Sequence, residues 1–242
     1  MRKTLILTLS AVTLTFASCK KSTTEEEQVQ PPAKNCQLTQ SDYKSSNDAA
    51  TYSYTYNSNG KIATAKDNLA TETYTYSATD VKVSRSGSST KTYNLDNHDR
   101  ATTIFDGSNI NNALTYNSDG YLIQKQILQG SLILQTEKYF YTNGNLTSVE
   151  NGNKKITIEY GTETAKANFY MNEVDTDIPL ILLSPIKAYL GKLSANLPTK
   201  TTNGNVTQSF SYTKDDNGNI IKVTVTTSTG NNYTIEKKYI CN

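Results

Sequence analysis

Few side chains in this sequence could do covalent chemistry, and residue type and spacing place each of them. The one histidine, His98, lies in "LDNHDRA". A nucleophile-histidine-acid triad would have to use it, yet no Gly-x-Ser-x-Gly elbow or reactive-cysteine motif accompanies it. It reads as a surface turn residue. A zinc site is disfavoured as well, because one histidine and two cysteines expected to pair with each other leave too few nitrogen or sulfur ligands. Acidic residues gather in "NEVDTD", where Glu173, Asp175 and Asp177 offer paired carboxylates of the kind that hydrolyse glycosides. Nothing around them separates an acid from a base, so a solvated loop is the plainer reading. The stretch "TKDDNGN" sets Asp215, Asn217 and Gly218 at calcium-loop offsets, but Thr213 and Thr224 stand where that loop needs carboxylates. The inventory predicts no catalytic residue, no metal site and no cofactor.

The chain is instead rich in tyrosine, with 17 tyrosines and no tryptophan. In "TYSYTYNSNGKIATAK", Tyr52, Tyr54 and Tyr56 share one face of a strand, because side chains alternate with a period of two. A turn over Asn57 to Gly60 would set Tyr56 opposite Lys61, Tyr54 opposite Ala63 and Tyr52 opposite Ala65, large rings across from small methyls. The pattern returns in "NALTYNSDGYLIQK", in "SFSYTKDDNGNIIKVTV" and in "EKYFYTNGNLTSVE", whose Asn143-Gly144 suits a type I′ hairpin. Two degenerate copies are "ETYTYSATDVKVSR" and "KTYNLDNHDRATTI", the latter with Asp99 in the glycine position. Turn signals at strand-length intervals predict an antiparallel meander. Many of the rings must pack, since each brings a large apolar area into a sheet otherwise rich in Thr and Ser. Those left on an exposed face would suit sugars or lipid, and Tyr52, Tyr54, Tyr56, Tyr74 and Tyr76, crowded into the first hairpins, are the ligand-binding candidates.

One segment departs from this rhythm. In "DIPLILLSPIKAYLGKLSANLP", Leu182, Ile186, Tyr189, Leu190 and Leu193 fall at helical spacings, with Ser184 as a cap and Pro185 in the first turn. The spacing predicts a short helix near 185–193, either a plug packed on the concave face of the sheet or a lid or membrane-touching helix.

The N-terminus gives an address. "MRKTLILTLSAVTLTFASC" has a basic start, an apolar run too short to span a bilayer and small residues before a cysteine, which is the pattern of a secretory signal. "FASC" resembles a bacterial lipobox, which implies a signal over 1–18 and acylation of Cys19 as the first mature residue. An ordinary secretory cut near Ser18 is the alternative. Residues 19–35 are polar and charged and predict a flexible tether with a reach of roughly 20–25 Å. The acidic run Glu25 to Glu27 after basic residues resembles Bacteroidetes surface-export signals; a solvated spacer reads the same way. Loss of Arg2 and Lys3 takes the formal charge from +2 to zero, so nothing global favours nucleic acid. With Cys19 acylated, Cys36 and Cys241 remain at the two ends of the β domain, where an oxidising compartment would pair them.

The hairpins "YTYNSNGKIATA", "LTYNSDGYLI", "YFYTNGNLTSV" and "SYTKDDNGNIIKV" resemble the tyrosine-aspartate (YD) repeats of Rhs-type proteins. Together with the lipobox and the terminal "KKYIC", the chain resembles a Bacteroidetes lipoprotein family of unknown function with a porin-like β fold. That resemblance implies a curved, many-stranded antiparallel sheet; joined to the hairpin spacing and the helical stripe, the expectation is a mainly β domain over 36–242, an antiparallel meander forming an open or partial barrel with the short helix on its concave face. The resemblance implies no activity. The functional expectation is a non-enzymatic lipoprotein of the outer membrane, on its periplasmic face or at the cell surface, that binds a glycan, a lipid or another envelope protein. A structural envelope protein without a small ligand, and a hydrolase using acids near 173–177, are the alternatives. A transmembrane porin is disfavoured, because its outer face would need long apolar-alternating strands with aromatic girdles.

Overall fold

The computed structural model describes residues 36–165 and 188–241. Polar and apolar residues alternate along most of this chain, and the strands follow that period. The first eight are β1 (Cys36–Ser45), β2 (Ala49–Tyr56), β3 (Ile62–Lys66), β4 (Thr71–Tyr76), β5 (Asp80–Arg85), β6 (Lys91–Leu95), β7 (Ala101–Phe105) and β8 (Ile110–Tyr116). They continue as β9 (Leu122–Gln129), β10 (Leu132–Thr142), β11 (Asn145–Asn151) and β12 (Lys154–Thr164). After the longest connection come β13 (Asn196–Asn203), β14 (Val206–Lys214), β15 (Ile220–Thr227) and β16 (Tyr233–Cys241).

Every strand pairs antiparallel with its sequence neighbours, and β1 also pairs with β16, from Cys36 opposite Cys241 to Ser45 opposite Tyr233. The sheet is therefore a closed barrel of sixteen strands, which corrects the expected open or partial barrel. Closure depends on twist and tilt summed over all the strands, whereas alternation reports only which face of each strand is buried. A disulfide joins Cys36 to Cys241 across the seam, 205 residues apart in sequence.

The expected helix near 185–193 is also corrected. Residues 185–187 lie outside the described residues, and from Ala188 the chain makes a short 3-10 turn followed by an irregular strap to Ala195. Gly191 has φ +85°, which no right-handed helix accepts. The strap bonds to the barrel rather than to itself: Lys192 N–H donates to the Gly120 carbonyl at 2.8 Å and Ala195 N–H to the Gly144 carbonyl at 3.0 Å. Tyr189 and Leu190 still dip inward and join the main apolar cluster.

Hairpin geometry fixes two distinct ends. Turns after even-numbered strands, the seam disulfide and the strap share one end, here the capped end; turns after odd-numbered strands form the far end. Four capped-end turns repeat one design. Asn57, Asp96, Asn117 and Asp215 each accept, through a side-chain oxygen, the N–H four residues on, at 2.8–3.0 Å. The fourth turn residue has positive φ: Gly60, Asp99, Gly120 and Gly218. The design adds one residue and a bulge, so Tyr54 faces Ala65 and Tyr56 faces Ile62, not Ala63 and Lys61 as a four-residue turn would give. Asn143 and Gly144, with φ 51° and 77°, have the signs a type I′ turn needs.

Inward-facing side chains build two apolar clusters. One draws on β1 to β12 with Tyr189 and Leu190; the other draws on β13 to β16. The outer face carries Thr, Ser and cross-strand ion pairs such as Lys200 with Glu159 and Lys222 with Glu236, at 3.0 and 2.9 Å. Large exposed apolar residues are scattered, with Leu132, Ile133 and Leu134 grouped at the tip of the β9–β10 hairpin. A membrane barrel has the opposite polarity, an apolar outer band around a polar lumen.

Candidate functional site

The tyrosines that open the capped-end turns point into the barrel and donate sideways. Tyr56 donates its hydroxyl to the Leu38 carbonyl at 2.6 Å, Tyr76 to Ile62 at 2.8 Å and Tyr116 to Ala101 at 2.7 Å. Tyr160, Tyr212 and Tyr239 do the same to Leu146, Pro198 and Ile220, at 2.8, 2.6 and 3.1 Å. In all six cases the acceptor lies at the start of the preceding strand. The repeated ring therefore fills the lumen with its body and clasps each hairpin at the capped end with its hydroxyl. Leu95 in β6, in the degenerate copy, has no hydroxyl to offer, and Tyr141 in β10 instead packs its ring on Tyr121 at 4.6 Å.

Toward the far end the inner face changes character. Tyr74 donates to Glu72 at 2.6 Å, and Arg85 approaches Glu72 at 3.6 Å and Asp67 at 2.9 Å. The arrangement repeats across the lumen wall: Tyr139 donates to Glu137 at 2.7 Å, and Lys125 lies 3.5 Å from the same carboxylate. A Glu two residues before a Tyr shares its face, so "ETYTY" and "EKYFY" encode the pair in the same way.

Beside the second pair is a cavity of about 210 Å³. Ile104, Leu114, Leu122 and Leu190 give it apolar walls; Tyr93 and Tyr139 add rings; Lys91, Lys125, Asp106 and Asn112 add polar groups. Hydrogen bonds from the Ser108 side chain and backbone, with help from the Lys91 charge, hold the Asp106 carboxyl below its usual range against the opposing effect of burial. A second, more open cleft lies at the capped end between the turn residues His98, Arg100 and Asp119 and the strap residues Gly191 and Lys192.

The residues singled out in the sequence separate clearly in space. Tyr54 and Tyr74 are buried in the main cluster, with Tyr52, Tyr56 and Tyr76 packed against it, and the cavity is lined by Tyr93 and Tyr139 instead. His98 is an exposed turn residue whose N–H donates to Asp96. Asp215 caps its own turn, accepting from the Asn217 and Asn219 N–H groups at 3.0 and 2.8 Å. Cys36 and Cys241 are bridged. Cys19, Glu173, Asp175 and Asp177 lie outside the described residues. Among the described residues no cluster of three or more His, Cys, Asp or Glu side chains is placed to hold a metal ion. The sequence reading missed Lys91 and Lys125. Both belong to alternating strands, and the signal that they face inward is the apolar character of their cross-strand partners Val83 and Leu114.

A family model described as Teneurin YD-shell matches residues 34–164, more than half of the chain. Among solved structures, a porin-like protein from Bacteroides uniformis superposes with a TM-score of 0.67 at 18% identity, over 84% of this chain and 98% of that one. A porin-like protein from Bacteroides vulgatus does so with a TM-score of 0.58 at 14% identity, again over 84% and 98%. No curated protein matches the chain.

Proposed function

The chain belongs to the Teneurin YD-shell family, and from that premise we propose that it is a lipid-anchored envelope protein, held to the outer membrane through Cys19, whose barrel binds a small ligand without transforming it. The cavity carries this reading. A barrel built for stiffness alone has no use for a pocket in which two lysines, an aspartate and an asparagine stand beside leucine walls. Its volume of about 210 Å³ lies below the roughly 300–1,000 Å³ of sites for drug-sized molecules, which favours a sugar-sized or short-chain lipid ligand over an inserted protein segment. Binding without catalysis is supported by the lumenal carboxylates. Glu72 and Glu137 are each occupied by a tyrosine hydroxyl and a cation, so neither stands ready as a general acid or base. The porin-like fold with its polar outer wall fits a domain held beside a membrane rather than threaded through it.

The test is a thermal-shift screen of mono- and disaccharides, short fatty acids and lipid fragments against the protein and against Leu114→Trp, which fills the cavity. The reading expects hits that the filled variant loses. If no compound raises the melting temperature, the ligand reading fails and a purely structural envelope role takes its place. For the anchor, Cys19→Ser is expected to move the protein from the membrane fraction to the soluble one; a variant that stays with the membrane ends that part of the proposal.

A further inference from the structure

The cavity has a direction. Along the barrel axis from the far end its lining runs from Lys91 and Asp106, through Tyr93, Ile104 and Asn112, to Leu114 and Lys125, and ends on Leu122 and Leu190 near the capped end. Both lysines occupy positions that face inward: Lys91 pairs with Val83 and Lys125 with Leu114, and cross-strand partners share a face. Two ammonium groups beside the leucine wall of this cavity need a reason to be there.

Their existing contacts do not supply it. An ammonium has three donors, and the ion pair of Lys125 with Glu137 is a long one at 3.5 Å, which leaves donors for a further acceptor. Lys91 stands exposed at the rim. Asp106, the lining carboxylate that feels the Lys91 charge, is turned toward its own loop, where one oxygen accepts both the N–H and the hydroxyl of Ser108. Asp106 and Glu137 balance the two cations in formal charge, but the long Lys125 contact and the turned-away Asp106 leave ammonium donors for a further acceptor. The deep wall of Leu114, Leu122 and Leu190 has no side-chain hydrogen-bonding group, so a ligand with hydroxyls on every side would bury some of them unsatisfied.

We propose, building on the ligand-binding reading above, that the cavity takes a short amphiphilic carboxylate, its apolar chain against Leu114, Leu122 and Leu190 and its carboxylate between the ammonium groups of Lys91 and Lys125. The size agrees. At about 30 Å³ per water the cavity of about 210 Å³ has the room of roughly seven waters, near that of a molecule with about eight heavy atoms such as hexanoate.

The experiment is a ligand-observed NMR titration of the protein with hexanoate, hexanol and glucose, repeated with Lys91→Met and Lys91→Arg. Lys91 is exposed at the rim, so these variants are expected to fold, and circular dichroism verifies it. The proposal expects hexanoate to bind at least fivefold more tightly than hexanol, Lys91→Met to remove most of that preference and leave hexanol unchanged, and Lys91→Arg to restore it. Glucose or hexanol binding as tightly as hexanoate would overturn the carboxylate class while leaving a ligand site in place. Hexanoate binding indifferent to Lys91→Met would overturn the assigned headgroup position. Silence from all three probes together with the thermal-shift library would remove the binding reading itself.

Discussion

The two ends of the barrel are made from the same strands but by different rules. At the capped end one turn design occurs four times, six tyrosine hydroxyls clasp neighbouring strands, and a strap and a disulfide cross the remaining gaps. At the far end the turns differ in length and chemistry. Asp67 caps one, Gly130-Ser131 makes another in two residues, and the inner wall carries Glu72, Arg85, Lys91, Lys125 and Glu137. The repeat thus specifies the end that holds the shell together, and the end released from the repeat is where polar side chains enter the lumen. Irregular segments on a rigid scaffold are where binding groups collect.

The largest effect should come from the seam. β1 and β16 close the barrel, and the bridge between Cys36 and Cys241 spans 205 residues of sequence. Chain-entropy reasoning gives about 5 kcal/mol as the ceiling for so long a loop. The double variant Cys36→Ser, Cys241→Ser is expected to lose several kcal/mol in urea denaturation, and to show faster amide exchange first in β1 and β16. Equal loosening of the far-end hairpin β9–β10 would mean that the capped end has no special part in holding the shell.

A smaller effect distinguishes the two kinds of tyrosine. Burial pushes the Tyr160 hydroxyl up to about 12 from an ordinary value of 10.0. The protonated form is the one favoured on folding, so this stabilisation is complete below pH 10 and fades as the pH rises through 12. At about 1.4 kcal/mol per unit it amounts to roughly 3 kcal/mol. Tyr74 at the far end is raised by burial first and then by the Glu72 carboxylate, which opposes a second negative charge beside it. Alkaline titration followed by tyrosinate absorbance and amide exchange is expected to open the capped end before the Tyr74 pair. The reverse order would break the assignment of the clasps as the controlling contacts.

Much of this contrast can be read from the residues, and the rest is hidden for physical reasons. Alternation around Tyr52 to Tyr56 and the Asn143-Gly144 turn point directly to hairpins, because strand period and positive φ are local properties. The bridge of Cys36 with Cys241 follows from their placement at the two ends of the domain. Barrel closure is not local, since it sums the twist and tilt of sixteen strands. The bulge that moves Ala65 opposite Tyr54 shifts register without changing composition. In the strap, Tyr189 and Leu190 have the spacing of a helical stripe, yet two adjacent apolar residues can also be buried by an irregular chain that dips once into a lumen. Lys91 and Lys125 read as solvated residues until the partners Val83 and Leu114 show which way they face.

The finest test compares two glycines, one at each end. Gly191 in the strap and Gly130 at the tip of β9–β10 both have positive φ, +85° and +60°, so an added methyl costs each about 1–2 kcal/mol of backbone strain. Their surroundings differ. A Cβ on Gly191 would lie 2.6 Å from both the Gly120 carbonyl oxygen and the Tyr116 ring, while a Cβ on Gly130 would meet nothing within 4 Å. Tyr116 clasps Ala101, and Lys192 beside Gly191 donates to Gly120, so the clash falls on the junction of strap, turn and clasp. Gly191→Ala is expected to cost about 1–3 kcal/mol beyond Gly130→Ala, the usual range for overpacking, and to speed exchange of the Lys192 amide selectively. Equal costs for the two variants, with the Lys192 amide undisturbed, would mean that the strap lies on the barrel without bracing it, and the capped end would owe its order to the tyrosines and the disulfide alone.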